Sequence, residues 1–174
     1  HVMCISFFLL FKGHKVTIGY LPKLRSPIKN PKKDAYNVKE YLNRIFRIQD
    51  KFKNLSIVNL EKFKYKIDKK DNNFLKKRAR LDTIFCLKKE NLDFKDPVVS
   101  SENKFYYKQA LEVYNNFGGF LLEYGKNFDL FITLNGNTFD SAIVTYLLKK
   151  FKFYFNCIEK FSFRKTRIIN NWIK

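Results

Sequence analysis

A chain of 174 residues, 45% hydrophobic and 18% aromatic, can bury a substantial core, which excludes a disordered polypeptide. Thirty-five Lys and Arg against 16 Asp and Glu give a net charge of +19, made up of 28 Lys and 7 Arg spread along the chain. With abundant Asn, Ile, Phe and Tyr, this is the profile that an AT-rich coding sequence writes, so the charge alone does not select nucleic acid as a partner.

Cys4, Cys86 and Cys157 are odd in number and lack metal-ligand spacing. Each falls in an apolar pattern, so three buried free thiols in a reducing compartment are expected. No apolar run approaches the length of about 20 residues that a spanning helix needs. The stretch from His1 to Phe11 lacks the basic flank and cleavage site of a signal peptide. A cytoplasmic location is the expectation.

In chain order, Val2 to Phe11 is almost wholly apolar, as expected of a helix packed deep against a sheet, and Gly13 suits the left-handed residue that ends it. Lys15 to Leu21 alternates and is β-branched, a strand. Pro22 to Lys33 holds Pro22, Pro27 and Pro31 and reads as a loop. Asp34 is placed to cap a helix with Val38, Tyr41, Leu42, Ile45 and Phe52 inward. Leu55 to Leu60 reads as a second strand, and Glu61 to Asp71 is ambiguous. A helix from Asn73 to about Lys89 would use Phe74, Leu81, Ile84 and Phe85 as its inner side, and Asn91 to Val99, with Pro97, reads as a connection. Glu102 to Phe117 is amphipathic, and Gly118-Gly119 is expected to interrupt it before Leu121 to Tyr124 resumes.

The organising stretch is Asp129 to Glu159. Asp129 to Leu134 is an apolar run ending in the turn Asn135-Gly136-Asn137. A helix follows, with Phe139, Ala142, Ile143, Tyr146 and Leu147 on one stripe, Asn137 as N-cap, and Lys149 and Lys150 at the negative end of its dipole. Phe151 to Ile158 then reads as a strand. Two strands joined by one helix predict a right-handed crossover with parallel strands. Ligands of such sheets bind beyond the carboxyl ends of the strands, so Asn135 and Glu159 should share that edge.

Two segments resemble one family. LLFKGHKVTIGY, from Leu9 to Tyr20, resembles the opening of the N-terminal domain of GT-B glycosyltransferases after their first strand and glycine-rich turn. The strand, Asn135-Gly136, helix, strand and Glu159 are similar to the apolar strand with Asn-Gly-Arg and the later strand with Glu-Arg-Gly in capsule and lipopolysaccharide glycosyltransferases. Asn137 stands where Arg is common there, and Lys160-Phe161 where Arg-Gly is common. The resemblance implies an α/β, Rossmann-like parallel sheet with helices on both faces. The domain would span 1–162, with its first strand upstream of His1, and 163–174 would open the next element. Both ends of the chain fall inside a pattern, which fits a fragment.

By the same resemblance, the chain would be the acceptor-binding half of an enzyme moving a sugar from a nucleotide-sugar donor to a bacterial surface glycan or lipid-linked glycan. The donor would sit mainly on another half, with no metal and no other cofactor. Glu159 would be the catalytic residue, taking the proton of the attacking hydroxyl or orienting the acceptor. Asn135, Gly136, Asn137 and His1 would line the substrate side. The plainer readings are a tight turn with a helix cap for 135–137 and a strand-end polar residue for Glu159. His14 is expected in solvent, and Arg164-Lys165-x-Arg167 in a solvated basic loop. Phe151, Phe153 and Phe155 read as core. Peripheral contact with an anionic membrane is compatible with the charge, and no specific nucleic acid is expected. The alternatives are a basic α/β nucleic-acid-binding module, with Lys and Arg on one face among exposed aromatics, and a non-catalytic α/β scaffold.

Overall fold

The computed structural model describes residues 2–21, 40, 42–44, 46–134, 139–161 and 165–170. The fold is mixed helix and strand, in two compact units, His1–Lys62 and Phe63–Lys174. The boundary falls inside the span 1–162 that the sequence reading treats as one domain.

In the first unit, helix α1 (Val2–Phe11) leads into strand β1 (Val16–Tyr20), which pairs in parallel with β2 (Leu55–Asn59) from Val16↔Leu55 to Tyr20↔Asn59. Residues 42–44 and 46–49 are helical, and a 3-10 turn, Leu60–Lys62, follows β2. The end of α1 follows from Gly13. At φ +85° it lets its own N–H reach Leu10 O at 3.0 Å and the His14 N–H reach Leu9 O at 3.0 Å, a Schellman closure. Asn54 Nδ2 donates to His14 O at 2.7 Å, fixing the turn against the start of β2. The deep packing expected of α1 is not found. Ser6 and Leu10 are buried, but Phe8 and Phe11 are 61% and 76% exposed, because a two-stranded sheet covers one stripe of a helix rather than its circumference.

The second unit opens with two long helices, α2 (Lys69–Leu87) and α3 (Pro97–Tyr124). Asp68 caps α2 by accepting from the Asp71 N–H at 2.7 Å. Asp96 caps α3 by accepting from the Val98 N–H at 2.8 Å. Pro97, expected in a connection, occupies the first turn of α3, where its missing N–H costs nothing.

The glycine pair does not break α3, which is continuous for 28 residues. Instead it admits the chain crossing over it. A Cβ on Gly118 would lie 2.8 Å from the Tyr65 ring, and one on Gly119 would lie 2.5 Å from the Lys64 backbone nitrogen. The helix tolerates two poor formers because their absent side chains let residues 64–65 lie against its backbone.

The inner face of α2 is also not the expected one. Asp71, Leu75, Ala79, Asp82 and Thr83 are buried, whereas Leu81 is 54% and Phe85 84% exposed. Two carboxylates occupy the buried stripe, each neutralised by a partner, so a search for apolar periodicity finds the wrong phase. Asp82 is held by Arg78 one turn earlier, with Nε to Oδ2 at 2.9 Å.

After a 3-10 turn at Gly125–Asn127 come β3 (Phe131–Leu134), α4 (Phe139–Lys150), β4 (Phe155–Phe161) and β5 (Lys165–Asn170). The sheet order is β3-β4-β5, with β3 parallel to β4 and β4 antiparallel to β5. The parallel β3–α4–β4 crossover is as the sequence predicts. Its second strand begins at Phe155 rather than Phe151, because Lys152 takes a positive φ of 58° and turns the chain first. The basic stretch around Lys165 and Arg167 is a strand, not a loop. Ile143, Leu147 and Leu148 of α4 are buried with Val113, Tyr114 and Leu121 of α3, beside Phe155 and Ile158 of β4. Among the thiols only Cys157 is buried, while Cys4 and Cys86 are exposed, contrary to expectation. Both sit on the solvent side of helices whose opposite stripe is packed.

Candidate functional site

Two places in the second unit bear on function, at opposite ends of α4. The first is the carboxyl edge of β3 and β4. The register pairs Leu134 with Ile158, so the strands arrive in step at positions 134 and 158. Glu159 follows Ile158 but does not end its strand. β4 runs on to Phe161, and Glu159 stands opposite Arg167 of β5 in the antiparallel register. The strand extends because β5 supplies a second hydrogen-bonding partner past the point where β3 stops. Asn135, Gly136, Asn137 and His1 lie outside the described residues. His14 is exposed, as expected. At the start of α4, Asp140 Oδ1 accepts from the Ser141 N–H at 2.9 Å.

The second place lies at the other end of α4. Asp71, 1% exposed, sits on the first turn of α2 and accepts three bonds. Tyr146 OH donates to Oδ1 at 2.7 Å, and Tyr114 OH and Lys150 Nζ both donate to Oδ2. Lys150 also reaches Tyr114 OH at 3.2 Å and Asp68 Oδ2 at 3.4 Å, and lies 5.5 Å from the centre of the Tyr65 ring. Phe74 stacks on Tyr146 with ring centres 3.9 Å apart, and Tyr107 OH donates to Asn72 Oδ1 beside them. One carboxylate thus joins α2, α3 and α4. Lys150 occupies the last turn of α4, where its charge also meets the helix dipole.

The electrostatics decide what this network can do. Burial would raise the Asp71 carboxyl, but the bonds from Lys150, Tyr114 and Tyr146 outweigh it and hold it below the ordinary 3.8. Burial would lower Lys150, but Asp71, then Tyr114 and Tyr65, hold it above the ordinary 10.5. Burial and the bond to Asp71 push Tyr146 up to about 12, and the same causes raise Tyr114. Asp71, Lys150, Tyr114 and Tyr146 are each moved away from neutral pH. None is poised to exchange a proton there, so the arrangement holds helices together rather than performing acid–base chemistry.

The sequence reading used Lys150 only as a helix-dipole partner and left Asp71 in an ambiguous segment. The signal available was the spacing Asp71, Leu75, Ala79, one helical stripe beginning with a carboxylate. Among the described residues no group of His, Cys, Asp and Glu could hold a metal ion, and no helix is long and apolar enough to cross a membrane. Comparison with protein-family models, curated proteins and solved structures finds no match to this chain.

Proposed function

We propose that this chain is the acceptor-side domain of a GT-B-type glycosyltransferase, with a Rossmann-like sheet and its working edge at the carboxyl ends of β3 and β4. The observation that carries the reading is the parallel register Leu134↔Ile158 around the single crossover helix α4. That register brings Glu159 level with the end of β3, after which the sequence reads Asn135-Gly136-Asn137, and this is the edge at which open α/β sheets bind ligands. The parallel β1–β2 pair behind Gly13-His14 supports it from the other segment that resembles the family.

In this role the carboxylate of Glu159 accepts the proton of an acceptor hydroxyl. The hydroxyl oxygen bonds to the anomeric carbon of the donor, and the bond from that carbon to the nucleoside diphosphate breaks. Asn135, Gly136 and Asn137 supply amides and backbone N–H groups to sugar hydroxyls.

The test is transfer of labelled sugar from nucleotide-sugar donors to glycan and lipid-linked acceptors by the natural gene product and its Glu159→Gln variant. Loss of a general base predicts a fall in turnover of about 10²–10⁴-fold with the melting temperature unchanged. Transfer by the variant at the original rate would overturn the role of Glu159. Nucleotide-sugar left intact by the natural protein with every acceptor class would overturn the reading as a whole.

A further inference from the structure

Past Ile158 the sheet narrows. β3 ends at Leu134, level with Ile158, whereas β4 continues to Phe161 against β5. Among the described residues β5 is therefore the only strand beside Glu159, and the antiparallel register decides what stands next to it. Arg167 lies directly opposite, and Lys165, opposite Phe161, is a diagonal neighbour. Directly opposed residues of an antiparallel pair share one face of the sheet, with Cβ atoms about 4.5–5.5 Å apart. The alternation along β4 identifies that face. Cys157, two residues before Glu159, is buried with its Sγ 3.9 Å from Thr145 Oγ1 of α4, so Glu159 and Arg167 occupy positions on the α4 side. The residue type is also informative. The chain holds 28 Lys and only 7 Arg, so composition favours Lys at any basic position, yet Arg stands opposite this carboxylate.

We infer that Arg167 is a positioning residue for Glu159, its guanidinium holding the carboxylate charged and fixed at the edge where an acceptor hydroxyl presents its proton. A guanidinium grips a carboxylate through two parallel N–H bonds and so sets its orientation, which a Lys ammonium does not. Other charges at this edge are Lys165 on the same face, Lys160 on the opposite face and Asp140 in the first turn of α4. Of these cations Arg167 alone is in register with Glu159. The pairing stands on the register, while its catalytic meaning rests on the glycosyltransferase reading.

The experiment follows the side-chain carboxyl carbon of Glu159 by NMR in the full chain as pH is lowered, the signal being assigned by its loss in Glu159→Gln. It compares the unmodified protein, Arg167→Met and Arg167→Lys, beside sugar-transfer kinetics of the natural gene product with the same substitutions. In Arg167→Met the titration midpoint should rise by about one unit, because an opposite charge beside a carboxyl favours its ionised form. The acid limb of kcat/KM should move up with it. Turnover above that limb should fall by about tenfold or more with KM unchanged, since a carboxylate free to swing is misplaced for the hydroxyl. Arg167→Lys should return the midpoint but not the turnover, because it restores the charge without the fork. A midpoint that Arg167→Met leaves in place would overturn the inference, and is what a residue that merely holds β5 in the sheet would give. A rise in KM at constant turnover would also overturn it, placing Arg167 on the substrate instead. A shifted midpoint in a protein that transfers no sugar would establish the pair and overturn the glycosyltransferase reading.

Discussion

Removing the carboxylate of Asp71 by substitution to Ala should be among the most damaging single changes in the second unit. Lys150 Nζ, Tyr114 OH and Tyr146 OH all donate to this side chain, and Tyr114 is fully buried, so water cannot stand in for the lost acceptor there. Breaking a buried pair by deleting one partner costs about 3–5 kcal/mol. At about 4 °C per kcal/mol for a domain of about this size, the melting temperature should fall by about 12–20 °C. Asp71→Asn keeps an oxygen acceptor but loses the charge, and should cost about 1.5–3 kcal/mol, the range for a hydrogen bond to a charged group. Urea denaturation of both variants and of Lys150→Met, combined as a double-mutant cycle, isolates the Asp71–Lys150 coupling. A loss under about 1 kcal/mol in Asp71→Ala is what an exposed ion pair gives. That result would refute the account of a buried carboxylate joining three helices.

The same network sets a pH window. Asp71 is held below 3.8, so its contribution is present above that value and is lost as acidification passes through the folded-state value below it. Lys150 is held above 10.5 and the tyrosines above 10.0, so their contribution is full below pH 10.0 and disappears as pH climbs, through about 12 for Tyr146. Thermal melts of the unmodified protein and Tyr146→Phe across the alkaline range should show a shallower decline for the variant, and parallel curves would count against the assignment. Gly119→Ala should destabilise by about 1–3 kcal/mol despite the better helix propensity of Ala. Its Cβ meets backbone atoms of Lys64, which cannot rotate aside. A gain in stability would show that the crossing segment yields.

The elements that were legible in the sequence are those whose signals are local. Gly13 ended α1 by its left-handed backbone, and the β-branched run before Leu21 gave β1. The apolar–turn–helix–apolar order from Asp129 gave a parallel crossover. What was not legible depends on partners far away in the chain. The phase of α2 is decided by Tyr114, Tyr146 and Lys150, which make a carboxylate an inward-facing residue, and nothing near Asp71 announces them. Gly118-Gly119 reads as a break until Lys64 and Tyr65 are seen crossing the helix. Phe85 reads as core because it is aromatic and in helical phase with other apolar residues, yet it is 84% exposed. Of the candidate site, the register of the edge follows from the crossover, but the extension of β4 to Phe161 required β5, whose basic residues read as a loop.

The carboxyl edge and the Asp71 network are linked through α4. This helix leaves the carboxyl edge at Phe139 and ends at Lys150 in the Asp71 network. Between them Ile143, Leu147 and Leu148 are buried against the core. A helix fixed along its length by packing and at its far end by a charged bond to two other helices cannot tilt without breaking both. Its first turn, beside the departure point of the 135–137 segment, is therefore held by interactions many residues away. Rigid support of this kind suits the binding role proposed for that edge. It also separates the two roles experimentally. Substitutions at Asp71 or Lys150 should act on the β3–β4 edge only through stability, in proportion to the unfolded fraction, whereas a substitution at Glu159 should act on chemistry at full stability.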